Sequence, residues 1–281
     1  MGVRIIVDSC ADLRAEVKEK VSVVPLVVRF GDNELLDGVT IDKSTFYEML
    51  VESDTLPTTS QATPDMFARA FAEAVDAGDS VVAITISSKL SGTYQSACIA
   101  AADYDCVHVV DSLNAAVGEG VLTEYALSCA EAGMGAADLA NILEEKKKDV
   151  RVVALLDTLE YLKRGGRISR AAAFAGGLLN LKPVIAIEDG ALAPLGKARG
   201  SKQGNNLLCE KIRQSGGVDF SMPLLLGYTG IEDSLLQKYI ADSRPLWDGH
   251  TQTLHCVQVG SVVGTHAGPG AIVCAYFAAG N

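Results

Sequence analysis

From Gly249 to Asn281 the chain contains no Asp, Glu, Lys or Arg. A charge-free segment of that length suits a membrane span only if it is continuously apolar. Gly260, Ser261, Gly264, His266, Gly268, Pro269 and Gly270 interrupt it, so no unbroken apolar stretch of about 18 residues exists. We read it as two buried strands around a polar loop. Positive charge is also short. Lys and Arg number 24 against 35 Asp and Glu, giving a net charge of -11 and a pI near 4.8. That balance excludes a global attraction to DNA or RNA. The seven cysteines, Cys10, Cys98, Cys106, Cys129, Cys209, Cys256 and Cys274, have no zinc-finger or redox spacing. Their odd number and an N-terminus that enters a strand directly predict no export signal and a reducing cytoplasm.

Catalytic and nucleotide motifs are missing too. Gly190 and Gly196-Lys197 imitate a phosphate-binding loop, but they stand one residue too far apart and Pro194 lies between them. There is no Gly-x-Ser-x-Gly elbow, no Ser-x-x-Lys and no His-Glu-x-x-His. His108, His250, His255 and His266 show no metal-ligand spacing.

What is present is apolar substance. Of 281 residues, 48% are hydrophobic, enough for one large domain or two ordinary ones and for an internal apolar cavity. Buried strands are expected at Arg4–Val7, Val21–Phe30, Ser80–Thr85 and Cys106–Val110. Helices alternate with them; Asp42 caps one, and Pro64 opens another after a polar loop over Ser53–Pro64. This alternation predicts a parallel, Rossmann-like α/β sheet over residues 1–150. Beyond Lys148 the pattern changes. Glu188-Asp189-Gly190 between two apolar runs signals a hairpin. Residues 151–281 are therefore expected to form a second α/β domain with a largely antiparallel or mixed sheet. Thr158–Lys163 and Arg170–Leu179 read as helices.

In parallel sheets ligands sit beyond the carboxyl ends of the strands. Three polar ends collect there: Asp8-Ser9, Ser87-Ser88 with Ser91, and Asp111-Ser112, the last reading as turn chemistry. The run Ile86-Ser87-Ser88-Lys89-Leu90-Ser91-Gly92-Thr93-Tyr94-Gln95-Ser96-Ala97 joins a strand to a helix. Ser91 or Gly92 thus lies near a helix N-terminus, where free N–H groups suit an anion. A plain helix cap is the alternative.

That run resembles the signature of the DegV family of bacterial fatty-acid-binding proteins. Four further stretches agree, in the family's order. They are Val7-Asp8-Ser9 with Ala11-Asp12-Leu13, Thr58-Thr59-Ser60-Gln61, Leu162-Lys163-Arg164-Gly165-Gly166-Arg167-Ile168-Ser169, and Gly264-Thr265-His266-Ala267-Gly268-Pro269-Gly270-Ala271. The resemblance implies two α/β domains with a long-chain fatty acid in an apolar tunnel between them. It implies no cofactor beyond that acid and no catalysis by the chain itself. A separate kinase subunit would phosphorylate the presented carboxylate. Thr59, Ser91 and His266 are then the carboxylate-binding residues, with Ser60, Gly92 and Thr93 in support. Arg199 is implied in kinase or acyl-phosphate docking. Where the family usually has Pro after Thr-Ser-Gln this chain has Ala62, and where it has two lysines after the Arg this chain has Lys202-Gln203.

Physical magnitudes fit such a ligand. Burying about sixteen methylene-type carbons contributes on the order of 13 kcal/mol gross. A hydroxyl contact to the head group contributes only about 1–3 kcal/mol. A tunnel would set affinity; Thr59, Ser91 and His266 would set orientation. A carboxylate beside His266 should favour the imidazolium, so that binding takes up protons near neutral pH.

One charge feature stands apart. Lys163, Arg164, Arg167, Arg170, Lys182, Lys197, Arg199 and Lys202 face only Glu188 and Asp189 within their segment, which carries +6. It reads as a solvated face or as a docking patch for a phosphate or an acidic partner, with Arg167, Arg199 and Lys202 as its candidates. Two other functions stay open: a stand-alone acyl-transfer or hydrolytic enzyme using Ser91 or His266, and a sensor plugged by lipid. No membrane-spanning segment is expected, only transient contact with a membrane surface.

Overall fold

The computed structural model describes residues 2–168 and 181–280. The helix expected over Arg170–Leu179, with Ser169 and Arg170, lies outside the described residues. The first half runs β1 (Val3–Asp8), α1 (Ala15–Lys18), β2 (Ser22–Val24), β3 (Val27–Phe30), β4 (Asn33–Leu36), α2 (Lys43–Glu52), β5 (Thr58–Ser60), α3 (Pro64–Asp76), β6 (Ser80–Thr85), α4 (Thr93–Ala101), β7 (Val107–Asp111), α5 (Val117–Glu131) and α6 (Ala136–Lys146). The second half runs β8 (Val150–Leu155), α7 (Glu160–Arg164), β9 (Lys182–Glu188), β10 (Ala191–Ala198), α8 (Gly200–Gln214), β11 (Leu224–Tyr228), α9 (Ser234–Asp242), α10 (Arg244–Trp247), β12 (Cys256–Gln258), α11 (Ser261–Ala267) and β13 (Ile272–Phe277).

The expected α/β architecture is present. Strands β2-β1-β6-β7 form a wholly parallel sheet. A separate mixed sheet has the order β10-β9-β8-β13-β11-β12, antiparallel except for the β11–β12 pair. Alternation along β1 explains its burial. Ile5 and Val7 belong to the apolar cluster that includes α5, while Ile6 belongs to the one that includes Phe67 and Phe71 of α3. On α3 the spacing of Phe67, Phe71 and Ala74 puts all three on one buried face, with Thr63 capping and Pro64 in the first turn. Helix α5 packs on β1 of the parallel sheet and on β8, β11 and β13 of the mixed one. It is accordingly buried over most of its first ten residues, Glu119 included. The hairpin turn is as expected: Asp189 and Gly190 both have positive φ, 51° and 80°, as a type I′ turn requires.

Three expectations are corrected. Val21–Phe30 is not one strand. It breaks at Pro25, which can donate no ladder hydrogen bond; β2 stays beside β1 and β3 leaves for another sheet. The polar loop Ser53–Pro64 contains strand β5. With β3 and β4 it makes a small antiparallel sheet, β4-β3-β5. The polar loop expected between the last two strands contains helix α11. Asp37, 4% exposed, accepts hydrogen bonds from Ser261 N at 3.2 Å and Val262 N at 3.5 Å. Asp12, 1% exposed, accepts from Gly260 N at 2.8 Å and from Lys43 Nζ at 2.7 Å. The orphan donors that start a helix are thus satisfied by distant carboxylates. Among the described residues no helix is long and apolar enough to cross a membrane.

Candidate functional site

Beyond the carboxyl ends of β6 and β7 the chain turns along an apolar cavity. Ile86, Leu90 and Ser91 follow β6 and line it; Ala115 and Ala116 follow β7 and do the same. The facing wall is the mixed sheet, through Val152 and Ala154 of β8, Ile185 of β9 and Val273 of β13. Val262, Val263 and His266 of α11 close a third side. The empty space is about 980 Å³, open mouth included.

The lining is apolar except for Thr59, Ser60, Gln61, Ser91, Arg167, Thr229 and His266. Thr229 stands by itself, its hydroxyl accepting from Ala271 N at 2.8 Å. The other six close a ring through contacts. Thr59 Oγ1 and His266 Nε2 are 2.8 Å apart. His266 packs on Gly165, where a Cβ would lie 2.1 Å from Nδ1. Arg167 donates to Gly165 O at 2.8 Å and to Leu90 O at 3.3 Å. Ser91 and Gly92 follow Leu90, and Gly92 abuts Gln61, which returns through Ser60 to Thr59. Ser60, Gln61 and Arg167 are exposed, so the ring marks where the cavity meets the surface.

Thr59 is placed there by β5, in register with Val28 of β3. His266 is placed by the last turn of α11, whose first turn Asp37 and Asp12 hold. Burial, and then the Arg167 charge, pull the His266 pKa down from 6.5 to about 4. The imidazole is therefore neutral at pH 7. Its Nδ1 has no hydrogen-bond partner among the described residues.

Ser91 Oγ lies 2.8 Å from Thr93 Oγ1 and accepts from Thr93 N at 3.3 Å. Gly92, not Ser91, is the residue that caps α4. Ser91 bonds into the helix start and also lines the cavity. Thr93 is fully buried, is bonded to Ser91 and is not part of the cavity lining. Serine and histidine are bonded to other partners, Thr93 and Thr59, so no Ser–His nucleophile pair is assembled among the described residues. Asp8 accepts from Cys10 N within its own turn and from Ile86 N across the sheet, and Asp111 accepts from Leu113 N in its turn and from Ser88 N; neither aspartate lines the cavity.

The three docking candidates separate. Arg167 lines the cavity. Arg199 and Lys202 do not; both are exposed where α8 begins. The +6 segment is partly neutralised in space. Lys182 pairs with Asp157 at 2.6 Å and Arg164 with Glu160 at 2.8 Å, partners that lie outside the segment counted in sequence. Among the described residues no group of three or more His, Cys, Asp and Glu could hold a metal ion. Gln61 and Thr229 are cavity residues to which the sequence reading gave no role.

The profile of the DegV family, described as an uncharacterised protein family, matches residues 2–279. A curated fatty acid-binding protein of Thermotoga maritima is 30% identical over 280 residues, covering 97% of this chain and 96% of that one. Among solved structures, a fatty-acid-binding DegV family protein from Thermus thermophilus superposes with a TM-score of 0.89 at 32% identity, covering 99% and 100% of the two chains. A stearic acid-binding protein from Eubacterium ventriosum gives 0.88 at 28% identity, covering 99% and 98%. With the family profile matching residues 2–279 and the fold superposing over 99% of its length, the chain belongs to the DegV family.

Proposed function

We propose that this protein binds a long-chain fatty acid in the apolar cavity, with the carboxylate at the Thr59–Ser91–His266 ring. A separate kinase subunit would then take the presented head group and form the acyl phosphate. The observation that carries the reading is the ring itself: hydroxyls, an imidazole, a carboxamide and a guanidinium gathered at the mouth of a cavity whose remaining lining is apolar but for Thr229. An acyl chain matches the cavity wall, and a carboxylate matches the ring.

The hydrogen bond between Thr59 and His266 suggests how. If Nε2–H donates to Thr59 Oγ1, the bare Nδ1 remains an unpaired acceptor rather than an unpaired donor. The Thr59 hydroxyl proton is then free to point at a carboxylate oxygen. Ser91 supplies a second hydroxyl. Ser60 borders the same mouth, and Gly92 and Thr93 hold Ser91 in place.

The kinase step rests on the family resemblance and on the missing nucleotide motifs. Arg199 and Lys202, exposed and away from the cavity, are the proposed docking residues; Arg167, at the mouth, is proposed to meet both ligand and partner. The seven unpaired cysteines suit a reducing cytoplasm. Two domains are proposed to meet near residue 150, between α6 and β8.

Mass spectrometry of lipid extracted from the purified protein tests the binding reading. A fatty acid near one per chain is expected; a different class of bound small molecule in the cavity contradicts it. Adding a kinase subunit and ATP tests the presentation step. Label must move from ATP to the bound acid, and its absence with active kinase removes that role.

A further inference from the structure

Gln61 holds two parts of the ring together. It follows Thr59 and Ser60 directly, so it moves with β5. Its Nε2 donates to Ser96 Oγ at 2.8 Å, and Ser96 is 1% exposed on α4. Its Oε1 lies against Gly92, where a Cβ would come within 2.0 Å. The backbone of Gly92 has φ -77°, which any residue adopts. A side chain at this position would therefore have to displace the Gln61 carboxamide, while the backbone conformation itself does not call for glycine. The carboxamide occupies the volume that a side chain would take.

Ser91 is fixed to the same helix start. It bonds to Thr93, the first residue of α4. Thr59 is fixed to β5, and His266 is bonded to Thr59. No hydrogen bond between described residues joins Ser91 directly to Thr59 or His266. The side chain of Gln61 spans that gap.

We propose that Gln61, seated in the space left by Gly92 and tied to Ser96, is a positioning residue that sets the separation of Thr59 and Ser91 for a carboxylate. This rests on the fatty-acid reading above. Gln61 itself is assigned no ligand contact. Its loss should let the two hydroxyls drift apart while leaving the apolar cavity intact.

The test measures affinity for a long-chain fatty acid and for the alcohol of equal length. It uses the wild type, Gln61→Ala, Gly92→Ala, the double variant and Gln61→Glu. Gln61→Ala should weaken the acid about tenfold and the alcohol less than about twofold, because only the charged head group needs both hydroxyls. Gly92→Ala should do the same, since its methyl displaces the carboxamide. The double variant should be no worse than either single one, as expected for two changes that remove the same contact. Gln61→Glu keeps the length but brings a second negative charge to the carboxylate, so it should weaken the acid at least as much as Gln61→Ala and leave the alcohol within about twofold of wild type. Equal losses of acid and alcohol, or additive losses in the double variant, overturn the proposal while leaving fatty-acid binding intact. A wild type that binds neither ligand overturns the fatty-acid reading and this role with it.

Discussion

Thr59 and His266, 207 residues apart in the chain, meet in a 2.8 Å hydrogen bond at the mouth of the cavity. One comes from an edge strand of the small antiparallel sheet, the other from a short helix that two distant carboxylates hold in place. Thr59→Val keeps the shape and removes the hydroxyl. Acid affinity should fall about tenfold or more, the effect of one lost charge-assisted contact. The matching alcohol should lose less. Titration with both ligands checks this; an unchanged acid affinity removes Thr59 from the head-group site.

His266 starts neutral, with its pKa pulled down to about 4. A bound carboxylate favours the imidazolium and raises that value. Proton uptake on binding should therefore be larger at pH 5 than at pH 7.5, and acid affinity should fall as pH rises across that window. This moves the uptake expected near neutral pH to the acidic side, because burial lowers the starting point. Calorimetry in buffers of different ionisation enthalpy measures the uptake. His266→Gln should abolish it; equal uptake in that variant excludes His266 as the titrating group.

Glu119 is fully buried in α5, and neither carboxylate oxygen has a partner among the described residues. Burial, and then the charges of Asp8 and Asp12, push its pKa well above 4.5. Between 4.5 and the folded value the folded state holds a proton that the unfolded state has released. Stability from this group is therefore lost as pH rises, by up to about 1.4 kcal/mol per pH unit. Glu119→Gln is neutral at every pH and should be more stable than wild type at pH 8 by roughly 1–3 kcal/mol. The advantage should shrink toward pH 4.5. Thermal melts across that range check it, and parallel profiles for the two proteins would refute it.

Charge reversal separates the basic residues. Arg199→Glu or Lys202→Glu should impair kinase-dependent phosphorylation and leave acid binding within about twofold of wild type. Arg167→Glu should impair both, because Arg167 lines the cavity. Paired binding and phosphorylation assays report the split; loss of acid binding in Arg199→Glu would end its docking role.

Local signals made much of the fold readable. Pro64 announced α3, the short run Arg4–Val7 announced a buried strand, and Asp189-Gly190 announced the hairpin. Helix α11 was not readable, because the groups that satisfy its first N–H donors sit on Asp12 and Asp37, far away in sequence. The small sheet was hidden for a similar reason: β5 is a three-residue strand in a polar stretch, and its pairing partner is β3. Motif resemblance brought Thr59, Ser91 and His266 to one cavity, which spacing alone does not reveal. Counting charge along the chain overstated the basic patch, since Asp157 and Glu160 answer two of its cations in space.

The central claim is that an acyl chain fills the cavity and a carboxylate meets the ring. Titrating delipidated protein with saturated fatty acids of increasing length tests it most directly. The account predicts one saturable site per chain, with affinity rising roughly fourfold for each methylene until the cavity is full. Affinity independent of chain length, or no saturable binding at all, would contradict it.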